Sequence, residues 1–248
     1  MVARKVSIGW LAWLLVVLSL VVLNASLTFE NVWPTPKIAW ASALSIELAV
    51  TVLILSIAPR WTPMLARRVL PPVWVVLVAG HYLDVTAPGL YGREFNVYWD
   101  FQHLGNVTAM LARAAPWWLI AAVAGTAVIA TGVVYGLSRA ALTQIAAAMD
   151  HRRVRVALGS LAASVILLFA AQRTTDGFPI DVAFADPVTP AYFRQARFAT
   201  AIAGADSTPS LGPSPALDTG LRALGGADAL VIFVESYGAI TYDTPAIA

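Results

Sequence analysis

The residues of this chain that can do chemistry fall into three groups. The first lies near the C-terminal end, in Asp228-Ala-Leu-Val-Ile-Phe-Val-Glu-Ser-Tyr-Gly238. Ala229 to Val234 is an unbroken apolar run rich in β-branched residues, the pattern of a strand buried on both faces of a parallel sheet. Ligands of open α/β sheets bind just beyond the carboxyl ends of the strands, and Glu235 stands at that point. The second group lies in apolar sequence. Glu47 is the one carboxylate between Ile38 and Ala58. Near the centre of a membrane span a charge costs on the order of 3 kcal/mol, which makes it a functional candidate, set against a structural hydrogen bond to a hydroxyl on a neighbouring helix. His81 and Asp84 are three residues apart and share a helical face; the pair suits a headgroup site, a proton relay or simple anchoring of a helix end. The third group is polar sequence among aromatics: Arg93, Glu94, Asn96, Asp100, His103 and Asn106 alternate with Tyr91, Phe95, Tyr98, Trp99 and Phe101.

Composition says what must position these groups. Of 248 residues, 59% are hydrophobic and 12% charged, about half the usual charged share of a globular domain. Mean hydropathy is +0.73, and the apolar residues come in long blocks. A soluble fold of this size cannot hide them, so the chain reads as an integral membrane protein. Sixteen Lys and Arg against 14 Asp and Glu give no basic patch for nucleic acid. With no cysteine, disulfide frameworks and thiolate metal sites are excluded.

A crossing helix needs roughly 20 mostly apolar residues to span about 30 Å of hydrocarbon. Five stretches qualify: Ile8 to Phe29, Ile38 to Ala58, Val69 to Val85 with Pro71 and Pro72 in its first turn, Pro116 to Leu137, and Val154 to Ala171. The first is too long for a signal-peptide core and reads as a retained helix. Counting Lys and Arg beside the spans, one side receives nine (Arg4, Lys5, Arg60, Arg67, Arg68, Arg139, Arg152, Arg153, Arg155) and the other four (Lys37, Arg93, Arg113, Arg173). That imbalance places the N-terminus in the cytoplasm and the C-terminal segment outside. Phe95 to Leu111 reads as an interfacial helix on the outer leaflet or a lid packed on the bundle, with Phe101, Leu104, Thr108 and Leu111 on one stripe. The expected organisation is an all-α membrane domain of five helices (1–171), an extracytoplasmic linker with a short helix around 191–203 (172–227), and the start of an α/β domain (228–248). A lone strand cannot bury both faces, so the chain is expected to be the N-terminal part of a longer protein.

Five helices, a polar connector and then Ala229-Leu-Val-Ile-Phe-Val-Glu235-Ser-Tyr-Gly238 resemble the entry to the catalytic domain of sulfatase-like membrane enzymes of the alkaline phosphatase superfamily. That group includes lipoteichoic acid synthases and phosphoethanolamine or phosphoglycerol transferases. The resemblance implies that Glu235 is a ligand to a divalent metal, zinc or manganese. It also implies a transferase or hydrolase acting on phosphoesters or sulfoesters of envelope lipid headgroups or glycans, in a bacterial inner membrane. The family nucleophile and the other ligands would lie beyond this sequence, so the chain alone is expected to be inactive and to hold no metal firmly. On this reading the bundle anchors the enzyme and admits membrane lipids and the lipid-linked or glycan substrate; Glu47, His81, Asp84, Arg93, Glu94, Asp100 and His103 are its candidate headgroup or intramembrane polar sites. Two other classes fit the spans: a stand-alone five-helix transporter or channel subunit, and a non-catalytic membrane scaffold. The sequence holds no Gly-rich phosphate loop, His-Glu-x-x-His or Ser/His/Asp arrangement.

Overall fold

The computed structural model describes residues 9–32, 37–59, 61–175 and 182–203. Glu235 and its expected strand lie outside the described residues, as does the linker after Ala203. The elements run α1 (Trp10–Ala25), β1 (Phe29–Val32), β2 (Lys37–Trp40), α2 (Ile46–Ile57), α3 (Thr62–Met64), a π-helical turn (Leu65–Val69), α4 (Leu70–Tyr91), α5 (Val97–Ala114), α6 (Trp117–Ala148), α7 (Arg152–Thr174) and α8 (Val188–Ala203). Among the described residues, three helical runs are long and apolar enough to cross a membrane: Thr62–Gly89, Trp117–Ala148 and Arg152–Thr174.

The first two expected spans are shorter than the apolar runs that suggested them. α1 has 16 residues and α2 has 12, about 24 and 18 Å at 1.5 Å per residue. The intervening apolar sequence forms an antiparallel hairpin instead, with Phe29 opposite Trp40 and Glu30 opposite Ala39. Polar side chains set these limits by competing for the backbone. Asn24 donates to the Ala43 carbonyl at 2.8 Å and accepts from the Ser45 N–H at 2.9 Å. Ser45 then caps α2, its hydroxyl accepting from the Leu48 N–H. Glu47 is therefore in the first turn of α2, and its expected place at the centre of a span is corrected.

The third run starts earlier than Pro71 and Pro72 suggested. Its first residues, Thr62–Met64, pass through the π-helical turn, where the Leu70 N–H bonds to the Leu65 carbonyl. This wider register precedes two prolines that have no N–H to give. Thr62 joins the run to α2, donating to the Leu55 carbonyl at 2.9 Å and the Ala58 carbonyl at 3.0 Å. α4 ends at Gly92, whose φ of 65° is the left-handed cap conformation glycine supplies without a Cβ penalty.

Packing divides the bundle into two groups: α2 against α7, and α1 and α4 against α6. Leu55, Leu142 and Ile145 are fully buried where the groups meet, with Val52, Ala141, Met149, Val154 and Leu158 around them. Trp74 is also buried and donates its indole N–H to Ser26 Oγ at 2.9 Å. α6 is buried only from Ser138 onward, whereas Trp117, Val128 and Ile129 are 80%, 72% and 67% exposed. α5 buries no residue. Its sequence is amphipathic, with Phe101, Leu104 and Leu111 exposed on one side.

The α2–α7 contact depends on Gly159. A Cβ there would lie 2.7 Å from Ser56 Oγ and 2.9 Å from its Cβ. Gly159→Leu is expected to cost about 1–3 kcal/mol by overpacking and to lower the thermal midpoint of the detergent-solubilised protein, followed by tryptophan fluorescence. Ser56→Gly in the same chain should restore part of the loss; an unchanged midpoint in the single variant would mean the two helices do not pack here.

Candidate functional site

A polar site forms where α8 returns to the bundle, at the end marked by the β-hairpin. The first four N–H positions of a helix have no partner of their own. In α8 they fall at Pro187, Val188, Thr189 and Pro190, of which the prolines have no N–H. Glu47 takes the two that exist: its Oε1 accepts from the Val188 N–H at 2.7 Å and the Thr189 N–H at 3.3 Å, with Thr189 Oγ1 at 3.4 Å. Oε2 accepts from Ser45 Oγ at 3.1 Å. One buried carboxylate thus sits at the N-termini of both α2 and α8, where the helix dipoles favour negative charge.

Further along α8, Tyr192 crosses α4 at Gly80 and donates to the Val76 carbonyl at 2.6 Å. A side chain at 80 would collide with the phenol. Burial, then the Asp84 carboxylate, raise the Tyr192 pKa above its ordinary value, which keeps it a donor. Gln195 brackets the start of α5, donating to the Phe95 carbonyl at 2.8 Å and accepting from the Val97 N–H at 3.0 Å. Asn96 caps α5 through the Trp99 N–H, and Asp100 accepts from the Asn96 N–H and from Arg93. The Arg93 guanidinium and that N–H hold the Asp100 carboxyl below its ordinary pKa.

Between α4, α7 and the start of α8 lies a cavity of about 620 Å³. α4 contributes His81 and Asp84, α7 contributes Phe169 and Arg173, and the returning chain contributes Asp186 and Arg194, with Glu94 at the edge. His81 is buried and its Nε2 lies 2.7 Å from the Phe29 carbonyl oxygen. A carbonyl only accepts, so Nε2 carries the proton, and the Phe29 ring meets the imidazole edge-on at 4.5 Å. Arg173 stacks on Phe169 at 5.1 Å and pairs with Asp186 at 3.3 Å; Arg194 pairs with Glu94 at 3.7 Å. All four charged groups are well exposed. Such pairs contribute little to stability, so either arginine can exchange its carboxylate for a ligand oxygen at small cost.

Of the residues singled out by sequence, the structure brings His81, Asp84 and Glu94 into one cavity. Arg93 and Asp100 pair with each other at the start of α5, His103 is exposed on that helix, and Glu47 is spent on α8. In the sequence Arg173 counts only among the Lys and Arg beside the spans, and nothing there singles out Asp186 or Arg194. The only signal for the latter was an arginine in the short helix of an otherwise Pro-rich connector. Among the described residues no three His, Asp or Glu side chains converge to hold a metal ion. No protein-family model, curated protein or solved structure matches the chain.

Two outcomes are expected. Glu47→Leu leaves the buried Val188 N–H and the partly buried Thr189 N–H without their acceptor and should loosen α8 by about 2 kcal/mol. The chain has no cysteine, so Val188→Cys, at a buried position, reports this cleanly: its maleimide labelling should be slow with Glu47 present and fast in Glu47→Leu. For Asp100 the depressed pKa means its stabilisation is fully present above the ordinary value of 3.8 and is lost as pH falls through the lowered one. Asp100→Asn should remove that pH dependence and fray the start of α5, at about 1 kcal/mol, read by amide hydrogen exchange over residues 97–100.

Proposed function

We propose that the bundle receives a phosphate-bearing lipid headgroup at the outer face of a bacterial inner membrane and presents it to a sulfatase-like domain begun by residues 228–248. The observation that carries this reading is the cavity beside the end of α7, where Arg173 and Arg194 face one space with Asp84, Glu94 and Asp186. Guanidinium groups are the natural partners of phosphate oxygens, and basic pockets between spanning helices hold lipid headgroups. Three carboxylates beside two arginines disfavour a multiply charged anion. They favour a headgroup that brings its own cation next to its phosphate, with Asp84 as the partner of that cation.

On this reading the chain crosses the membrane five times, with the bilayer thinned beside the short α1 and α2, the N-terminus is cytoplasmic by the Lys and Arg imbalance, and the hairpin end is extracytoplasmic. Glu235 would contribute to a zinc or manganese site in the parent enzyme, where the metal neutralises a phosphoryl or sulfuryl oxygen and activates a nucleophile. The bundle's own residues bind and orient: Arg173 and Arg194 hold the headgroup oxygens, and α8 carries the connector that leads to Glu235.

The protein purified from its own membranes tests both parts. It is expected to retain zwitterionic phospholipid over anionic phospholipid in native mass spectrometry and to lose that preference in Arg173→Ala/Arg194→Ala. It should also cleave a phosphoester or sulfoester substrate in a metal-dependent way that Glu235→Ala abolishes. Unaltered lipid preference in the double variant sinks the headgroup reading; absence of both metal and turnover in the native protein sinks the enzyme reading.

A further inference from the structure

We propose that the groove between α1, α2 and α7 holds one acyl chain of the lipid whose headgroup enters the cavity; this rests on the headgroup reading above. The groove encloses about 400 Å³ and is lined by Leu20 and Val21 of α1, Leu48 and Val52 of α2, and Leu161 and Val165 of α7, with Trp40 at its rim.

Three features fix the occupant as an aliphatic chain. First, two of the three polar residues that line the groove, Asn24 and Ser45, are engaged elsewhere (the third is Thr28): both ends of the Asn24 amide bond to the 43–45 segment, and the Ser45 hydroxyl bonds to Glu47 and the Leu48 N–H. A polar ligand would find few partners there. Second, the space is too small for a protein helix, since a single turn 5.4 Å long and about 10 Å across already fills on the order of 400 Å³. Third, the groove and the cavity share one face of α7. Leu158, Leu161, Ala162 and Val165 line the groove, and Phe169 and Arg173 line the cavity. These positions recur at three- and four-residue intervals, which is one continuous helical stripe. From Arg173 to Leu158 that stripe descends about 22 Å, somewhat more than one leaflet's half of the 30 Å hydrocarbon. A lipid with its phosphate at Arg173 therefore has a chain of suitable length lying beside Val165 and Leu161.

The test uses two photoreactive phospholipids in nanodiscs, one with a diazirine on the acyl chain and one with it on the headgroup, followed by peptide mapping. The acyl probe is expected to label the groove peptides of α1 and α7 more strongly than the exposed outer part of α6 around Val128 and Ile129, which samples bulk lipid. Val21→Trp or Leu161→Trp, each at an exposed rim position where folding tolerates the change, should lower groove labelling several-fold and leave α6 labelling unchanged. Groove labelling no stronger than on α6, or unaffected by both tryptophans, overturns the proposal. Failure of the headgroup probe to label the α4, α7 and α8 peptides, with acyl labelling of the groove intact, would instead remove the headgroup reading alone.

Discussion

Glu47 is the constraint on which the arrangement of the hairpin end depends. Its carboxylate is buried, and burial of an unpaired charge is costly. It is tolerated because donors meet both its oxygens: the Val188 and Thr189 N–H groups on one, the Ser45 hydroxyl on the other. The dependence is mutual, since α8 begins with two prolines flanking those two N–H groups, and both N–H groups bond to Glu47. Once the N-terminus of α8 is fixed, its pitch brings Tyr192 onto Gly80, Gln195 onto the start of α5 and Arg194 beside Glu94. The cavity walls follow from the cap.

The parts of this arrangement legible in sequence are those governed by apolar runs. Pro116 to Leu137 and Val154 to Ala171 are apolar enough that nothing competes with a helix, and both helices form: α7 reaches two or three residues past each expected end, and α6 runs on three more turns to Ala148. The amphipathic pattern from Phe95 to Leu111 likewise yields α5, which starts where Asn96 and Asp100 supply its cap. Hydropathy failed at the end of the first expected span, Ser26 to Phe29, and at the start of the second, Ile38 to Ser45, where apolar residues serve a hairpin as well as they serve a helix. There the outcome was set by Asn24 and Ser45, two polar residues whose partners are distant in sequence or apparent only once the turn is formed. The candidate site was half legible for the same reason. His81 and Asp84 announce themselves by helical spacing, but Arg173 and Arg194 meet them only through a docking that Glu47 directs from far away in the chain.

The two helix groups differ in how they are held. α2 and α7 approach closely because Gly159 leaves room for Ser56, whereas α1 is tied to the approach of α2 through Asn24, at the hairpin end. Between that tie and the cluster of Leu55, Leu142 and Ile145 lies the apolar groove. In water such a gap would close, because exposed apolar surface drives collapse. In a bilayer that drive is absent, since lipid chains are as apolar as leucine, and a groove lined by Leu20, Leu48 and Val165 is stable as long as a chain fills it. In the proposed lipid site the fixed polar bracket would hold the headgroup end and the apolar gap the chain, and α7 is the element that runs through both.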